Sequence, residues 1–132
     1  MKIYDKNVES YNLMKQALDA SSTRNKVIAN NIANVNTKGY KRQYVSFEET
    51  LNNAVEGDNL TLTNKKHIPI NEKKGEINIK RDESSSMRQD GNNVDIENEE
   101  VNQAANALMY NSLITDINNR IAMRRSVIKG GR

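Results

Sequence analysis

Each end of this 132-residue chain carries a long run with one apolar stripe, and these two runs constrain the fold more than anything between them. In the first, from about residue 5 to 35, Tyr4, Val8, Tyr11, Met14, Leu18, Ser21, Asn25, Ile28, Ile32 and Val35 recur at alternating intervals of three and four. That spacing puts them on one face of a helix with a heptad-like seam. Ser21, Ser22 and Asn25 interrupt the stripe and weaken its middle. Asn36-Thr37-Lys38-Gly39 then supplies turn chemistry, and Gly39 is expected to adopt positive φ and stop the helix. The second run, from about residue 95 to 128, opens on Asp95 as N-cap with Glu97, Glu99 and Glu100 behind it. Arg120, Arg124, Arg125 and Lys129 lie near its other end, so acid and base match the helix macrodipole. Its apolar face reads Val101, Ala104, Ala105 and Leu108, then Ile114, Ile117, Ile121 and Ile128. At about 1.5 Å per residue, each helix would be on the order of 45 Å long.

The expected fold is mainly α: two long terminal helices pair as an antiparallel coiled coil around a small extended, β or disordered middle. Three zones follow: 1–40, the first helix and its turn; 41–93, a short helix and an extended or flexible stretch; and 94–132, the last helix. The short helix is suggested by Ser46 and Glu49, which have capping-box spacing. Phe47, Leu51, Ala54 and Val55 would form its apolar face, with Gly57 ending it. Leu60 and Leu62, and again Ile77 and Ile79, alternate with polar residues and suit short extended or hairpin pieces. Lys80 to Asp90 reads as a solvated loop.

A helix with one apolar stripe must bury it, yet the chain has little with which to do so. Only 36% of residues are hydrophobic and 5% aromatic, with no Trp and a single Phe, so a self-sufficient core is hard to build. Pairing the two helices covers part of each stripe, and Ala104, Ala105 and Ala107 permit further helices to approach. The expectation is a marginal monomer that gains order when copies stack. Twenty basic against 17 acidic residues leave a net charge of +3, too even a balance to demand a polyanionic partner. No cysteine is present, which removes disulfides, thiolate metal sites and thiol nucleophiles together. No run approaches the ~20 apolar residues that span a bilayer. Met1–Ser10 lacks the apolar segment of a cleavable signal peptide, so export would need another route.

Catalytic chemistry finds little support. His67, the only histidine, has no nucleophile or orienting carboxylate nearby in sequence and no further ligands for a metal. The carboxylates of Glu97–Glu100 crowd one stretch without the marks of a desolvated pair. Ser84–Ser86 lacks a nucleophile-elbow context. The basic end, Arg120 to Arg132, reads as a solvated helix terminus in preference to a phosphate site. No catalytic, cofactor-binding or metal-ligating residue is assigned, and neither a nucleic acid nor a small-molecule substrate is expected.

One contiguous string is specific: Ala29-Asn30-Asn31-Ile32-Ala33-Asn34-Val35-Asn36-Thr37-Lys38-Gly39-Tyr40-Lys41-Arg42. It resembles the signature of the flagellar rod, hook and hook-associated protein family, A-N-N-I-A-N-x-x-T-x-G-Y-K-R, with Lys38 where many members have Pro. A second string, Asp90-Gly91-Asn92-Asn93-Val94-Asp95-Ile96-Glu97-Asn98-Glu99, is similar to a stretch of that family's proximal rod members, as are Ala107-Leu108-Met109-Tyr110 and Thr63–Ile68. The resemblance implies a basal-body rod subunit needed for motility, exported through the flagellar type III apparatus without a cleaved signal. It further implies helical polymerisation through the terminal helices. Partners would be other copies of the chain, other rod proteins, and the membrane-ring or rod-adaptor and export-gate proteins. Assembly and helix packing then fall to Val8, Tyr11, Met14, Leu18, Ile28, Ile32, Val35, Val101, Ala104, Ala105, Leu108, Ile114, Ile117, Ile121 and Ile128. The signature turn comprises Asn30, Asn31, Asn34, Thr37, Gly39 and Tyr40, where Asn residues favour caps and turns. The alternatives are another short proximal-rod protein of the family, or a cytoplasmic helical adaptor or nucleic-acid-binding module.

Overall fold

From Lys2 to Ala33 the chain has neither Gly nor Pro, and nothing in it breaks a helix until the Asn-rich string arrives. The computed structural model, which describes residues 2–48, 51, 76–85 and 88–130, accordingly has a 32-residue helix α1 (Lys2–Ala33). It ends well before Gly39. The Asn34 N–H is shared between the carbonyls of Asn30 and Asn31 (3.1 and 3.2 Å), and Val35 N–H reaches Ile32 (3.3 Å), the tightened last turn usual at a helix end. Two further turns, closed by Thr37 N–H on Asn34 and Tyr40 N–H on Thr37, carry the chain away. Gly39 does adopt φ 72°, but it redirects the exit segment; the stop itself lies at Asn34.

The C-terminal helix α2 (Ile96–Ile128, 33 residues) starts where its cap residue requires. Asp95 Oδ1 accepts from the N–H groups of Glu97 (3.0 Å) and Asn98 (3.4 Å), satisfying two donors that have no intrahelical partner. The two helices pair antiparallel: Asn31 meets Glu99, Ser21 meets Asn106, and Ser10 meets Arg120. The mainly α architecture with two long paired helices is therefore present.

Between them lies a two-stranded antiparallel ribbon of β1 (Gln43–Ser46) and β2 (Asn78–Arg81), in the register Gln43 with Arg81 through Ser46 with Asn78. A compact apolar cluster forms where the ribbon meets the helices. Ala17, Ala20, Val27, Val45 and Phe47 are buried in it, and Leu13, Ile77 and Leu113 pack against it. The single Phe is thus used at the centre, 2% exposed.

One local expectation needs correction and another is only partly described. Ser46 belongs to β1, and its buried Oγ has no hydrogen-bond partner among the described residues; Glu49, the other half of the expected capping box, lies outside them. Helical backbone appears at Glu48, and Leu51 N–H donates to Phe47 carbonyl at 2.9 Å. The remaining positions of that short helix, together with Leu60, Leu62, the Thr63–Ile68 run and His67, lie outside the described residues. Lys80 and Arg81, expected at the start of a loop, are strand residues of β2, beside Ile79. Among the described residues, no helix is long and apolar enough to cross a membrane.

Candidate functional site

The two specific strings of the sequence meet at one end of the helix pair. Asn31, on the last turn of α1, is fully buried and uses its whole amide. Its Nδ2 donates to Gln43 carbonyl (2.8 Å) and Glu99 Oε2 (3.0 Å), while its Oδ1 accepts from Gln43 N–H (3.0 Å) and Tyr40 hydroxyl (3.2 Å). Four bonds exhaust the donors and acceptors that an amide side chain offers. One residue therefore ties α1, the exit turn, β1 and α2 together.

Glu99, 0% exposed on α2, faces Asn31 and accepts from Arg42 Nε at 2.6 Å. A buried carboxylate needs such pairing, because an unpaired buried charge is costly. Burial and the negative charge of Glu99 push the neighbouring Tyr40 hydroxyl up from its ordinary value, with Arg81 opposing. The phenol therefore stays protonated and able to donate to Asn31.

Asn92 performs the complementary task from the other string. Also 0% exposed, it directs Nδ2 at the carbonyls of Asn34 (2.9 Å), Val35 (3.0 Å) and Thr37 (2.9 Å), and its Oδ1 accepts from Val94 N–H (2.8 Å). These carbonyls belong to the helix exit, where intrahelical partners have run out. Gly39 N–H donates to Asp90 carbonyl (2.9 Å), Arg88 Nη1 to Val35 carbonyl (3.0 Å), and Arg42 N–H to Asn93 Oδ1 (2.7 Å). Gly91 has φ 77°, and a Cβ there would lie 3.9 Å from the Gly39 backbone. The remaining signature residues support the turn from outside: Thr37 Oγ1 donates to Asn34 Oδ1 (3.2 Å), and Asn34 Nδ2 to Asn30 carbonyl (2.8 Å). Nearby, the Ser84 N–H and hydroxyl hold the Asp82 carboxyl below its ordinary range, helped by the charges of Arg42 and Lys41.

A second polar cluster lies further along the helices. Asn106, 3% exposed, accepts from Ser21 Oγ (2.9 Å) and donates to Ser21 carbonyl (2.9 Å) and Asn25 Oδ1 (2.8 Å). Arg24 extends from this cluster to Glu48, its Nη2 donating to both carboxylate oxygens (2.8 and 2.7 Å). Burial pushes the Glu48 carboxyl up, but the hydrogen bonds and charge of Arg24, with local backbone N–H groups, outweigh it and leave the pKa lowered. An open groove of about 610 Å³ runs between these clusters, lined among others by Val27, Ile28, Ala105 and Met109. Its two arginines, Arg24 and Arg42, are already neutralised by Glu48 and Glu99.

On α1 the packing residues fall mostly inward. Met14 and Ile28 are buried, while Leu18, Ile32 and Val35 are half-buried; Tyr11 is half-buried too, its ring 5.5 Å from the Arg124 guanidinium, and Val8 is exposed. On α2 the side turned to α1 is a different one from the apolar stripe. It carries Glu99, Asn106, Leu113 and Arg120, one heptad apart. Ile114 and Ile117 are half-buried beside it, whereas Val101, Ala104, Ala105, Leu108, Ile121 and Ile128 are exposed. Val101 and Leu108 are 68% and 73% exposed.

Sequence reasoning misses Arg42, Asn92, Asn93, Glu99 and Asn106 as site residues. In sequence Glu99 is one of several crowded carboxylates, and Ser21 and Asn25 look like weaknesses of the stripe; all three are contacts. The available signal is that both specific strings are dense in Asn, the residue best suited to engaging backbone groups at turns.

A family model described as flagella basal body rod protein matches residues 15–41, the second half of α1 with the signature turn. The chain is 38% identical over 126 residues to the flagellar basal body rod protein FlgB of Borrelia hermsii, covering 89% of this chain and 90% of that protein. It is 32% identical over 134 residues to FlgB of Buchnera aphidicola subsp. Baizongia pistaciae (96% and 98% covered) and 30% identical over 119 residues to FlgB of Bacillus subtilis strain 168 (90% and 92% covered). With similarity at this level running nearly end to end, the chain belongs to the FlgB family of flagellar basal body rod proteins.

Proposed function

We propose that this basal body rod protein is a non-catalytic subunit that assembles with other copies and with other rod proteins through the side of α2 that its own α1 leaves uncovered. The observation that carries the reading is the exposure of Val101 and Leu108, with Ala104 and Ala105 exposed between them. These positions follow i, i+3, i+4, i+7 spacing and form one stripe. Burying two such aliphatic side chains contributes roughly 1.5–3 kcal/mol each, and the small alanines permit close approach of another helix. Exposed Met123, Val127 and Ile128 extend the available apolar surface toward the end of α2. On this reading the packing residues of α1 hold the subunit's own helix pair, and those of α2 reach outward. Contacts to the membrane-ring and export-gate proteins belong to the same proposal.

The test is Leu108→Asp in the living bacterium. Motility and recovery of the chain in purified basal bodies should both be lost, while the far-UV circular dichroism of the isolated chain stays as in the parent. Normal swimming with Leu108→Asp, and again with Val101→Asp, would overturn the assembly face.

A further inference from the structure

We propose that the segment Asp90–Glu99 is a clasp whose closure orders the exit turn of α1, so that the turn and the start of α2 form together or not at all. The clasp follows from the geometry of the two strings and does not depend on the assembly role.

The bonds of this region are distributed in an unusual way. The exit turn has two short backbone bonds of its own, Thr37 N–H on Asn34 and Tyr40 N–H on Thr37. Its three carbonyls at Asn34, Val35 and Thr37 are all engaged by one amide group, Asn92 Nδ2, from a segment more than fifty positions later. The Gly39 N–H is engaged by the Asp90 carbonyl of the same segment. In the other direction, fully buried Glu99 has its partners in Asn31 and Arg42, on either side of the turn. Neither half satisfies its buried groups alone. Opening the clasp leaves the Asn31 amide without its Glu99 bond and exposes the turn carbonyls, while Glu99 would have to leave its buried position to regain water. Intermediate states therefore carry unsatisfied buried polar groups, each costly. Local opening of such a region is expected to occur as one cooperative unit.

A device of this kind has a directional consequence. In a chain made from its N-terminus, α1 can elongate early, but its exit turn acquires its ordered path only after the clasp segment is available.

Hydrogen exchange of the full-length chain, resolved by residue, reads this coupling. In the parent, the amides of Thr37, Gly39 and Tyr40 and those of Glu97 to Glu99 should share one protection factor within about threefold. Tyr40→Phe removes a single hydroxyl on the turn side. It should lower protection by a similar factor on the far side, at Glu97 to Glu99, and leave amides near Ser21 and Asn106 unchanged. Asn92→Ala should lower protection of both halves at least tenfold. The proposal is overturned if Tyr40→Phe affects only residues around position 40, if the turn amides of the parent are unprotected, or if the two halves exchange at unrelated rates. Should Asn92→Ala fail to fold, the Tyr40→Phe comparison still decides.

Discussion

Ser21 and Asn106 form a hydrogen-bonded pair in the middle of the helix interface, and a double-mutant cycle on them measures what a polar seam is worth to this fold. Both side chains are essentially inaccessible, 0% and 3% exposed, and Ser21 Oγ donates to Asn106 Oδ1 at 2.9 Å. Asn106→Leu keeps the number of side-chain heavy atoms but strands the Ser21 hydroxyl. An unsatisfied buried polar group costs about 1–3 kcal/mol, and the hydroxyl recovers part of that by turning to its own helix carbonyls. The expected net loss is about 1–2 kcal/mol. Ser21→Ala leaves Asn106 Oδ1 with only Arg24 Nη1 at a long 3.5 Å, for a loss of about 1 kcal/mol. Replacing both removes the hydroxyl and the amide together, and Asn25, an exposed residue, can turn its Oδ1 to water, so the double variant should return to within about 0.5 kcal/mol of the parent or exceed it. Set against the two single losses, the coupling energy is then about 2–3 kcal/mol, read from urea unfolding followed by far-UV circular dichroism. A coupling below about 0.3 kcal/mol, with the double variant losing the sum of the single losses, would refute the mutual dependence of these two groups.

The remaining perturbations address charge and backbone. Because the Glu48 carboxyl has a lowered pKa in the folded chain, its contribution is present above the unfolded carboxylate value of about 4.3. That contribution is lost as pH falls through the lower folded value. Arg24→Met should move the Glu48 carboxyl resonance titration upward by NMR and remove this part of the acid dependence; an unmoved titration would show that Arg24 is not its cause. Gly91 adopts φ 77° with only an ordinary contact for an added Cβ, so Gly91→Ala should cost about 1–2 kcal/mol from backbone conformation alone. Gly91→Asn should cost less, since Asn tolerates this region better, and equal losses in urea unfolding would contradict that origin.

The last helix was legible nearly to the residue. Asp95 has the chemistry of a cap, acidic residues follow it, and basic residues close the helix, all of which are local signals. Gly39 was legible in conformation but not in role, because the Asn34 turn ends α1 before it. The strand β1 was obscured by a competing local pattern. Ser46 and Glu49 have the spacing of a capping box, whereas the ladder partner Asn78 is remote and contributes nothing to a local reading. The polar seam was hidden for a different reason. Hydrophobic periodicity on α2 selects Val101 and Leu108, and it assigns no weight to Glu99 or Asn106 until Arg42, Asn31 and Ser21 are known to lie opposite. The pairing of the two Asn-rich strings is likewise a through-space fact. Each string has enough chemistry to announce a turn and a cap, but neither says that its amides are meant for the other.

The ribbon of β1 and β2 has one more implication. Ser46 and Asn78 are cross-strand partners, so the chain leaves the helix pair and returns to it through a single narrow doorway. The length of chain joining them enters the stability of the helical base through loop closure, beside the packing of Phe47 and Ile77 and the ion pair of Glu48 with Arg24. Doubling such a loop costs only about 0.6 kcal/mol. The length of that excursion can therefore change at small cost to the base, provided Phe47, Glu48 and Ile77 keep their contacts with the helices.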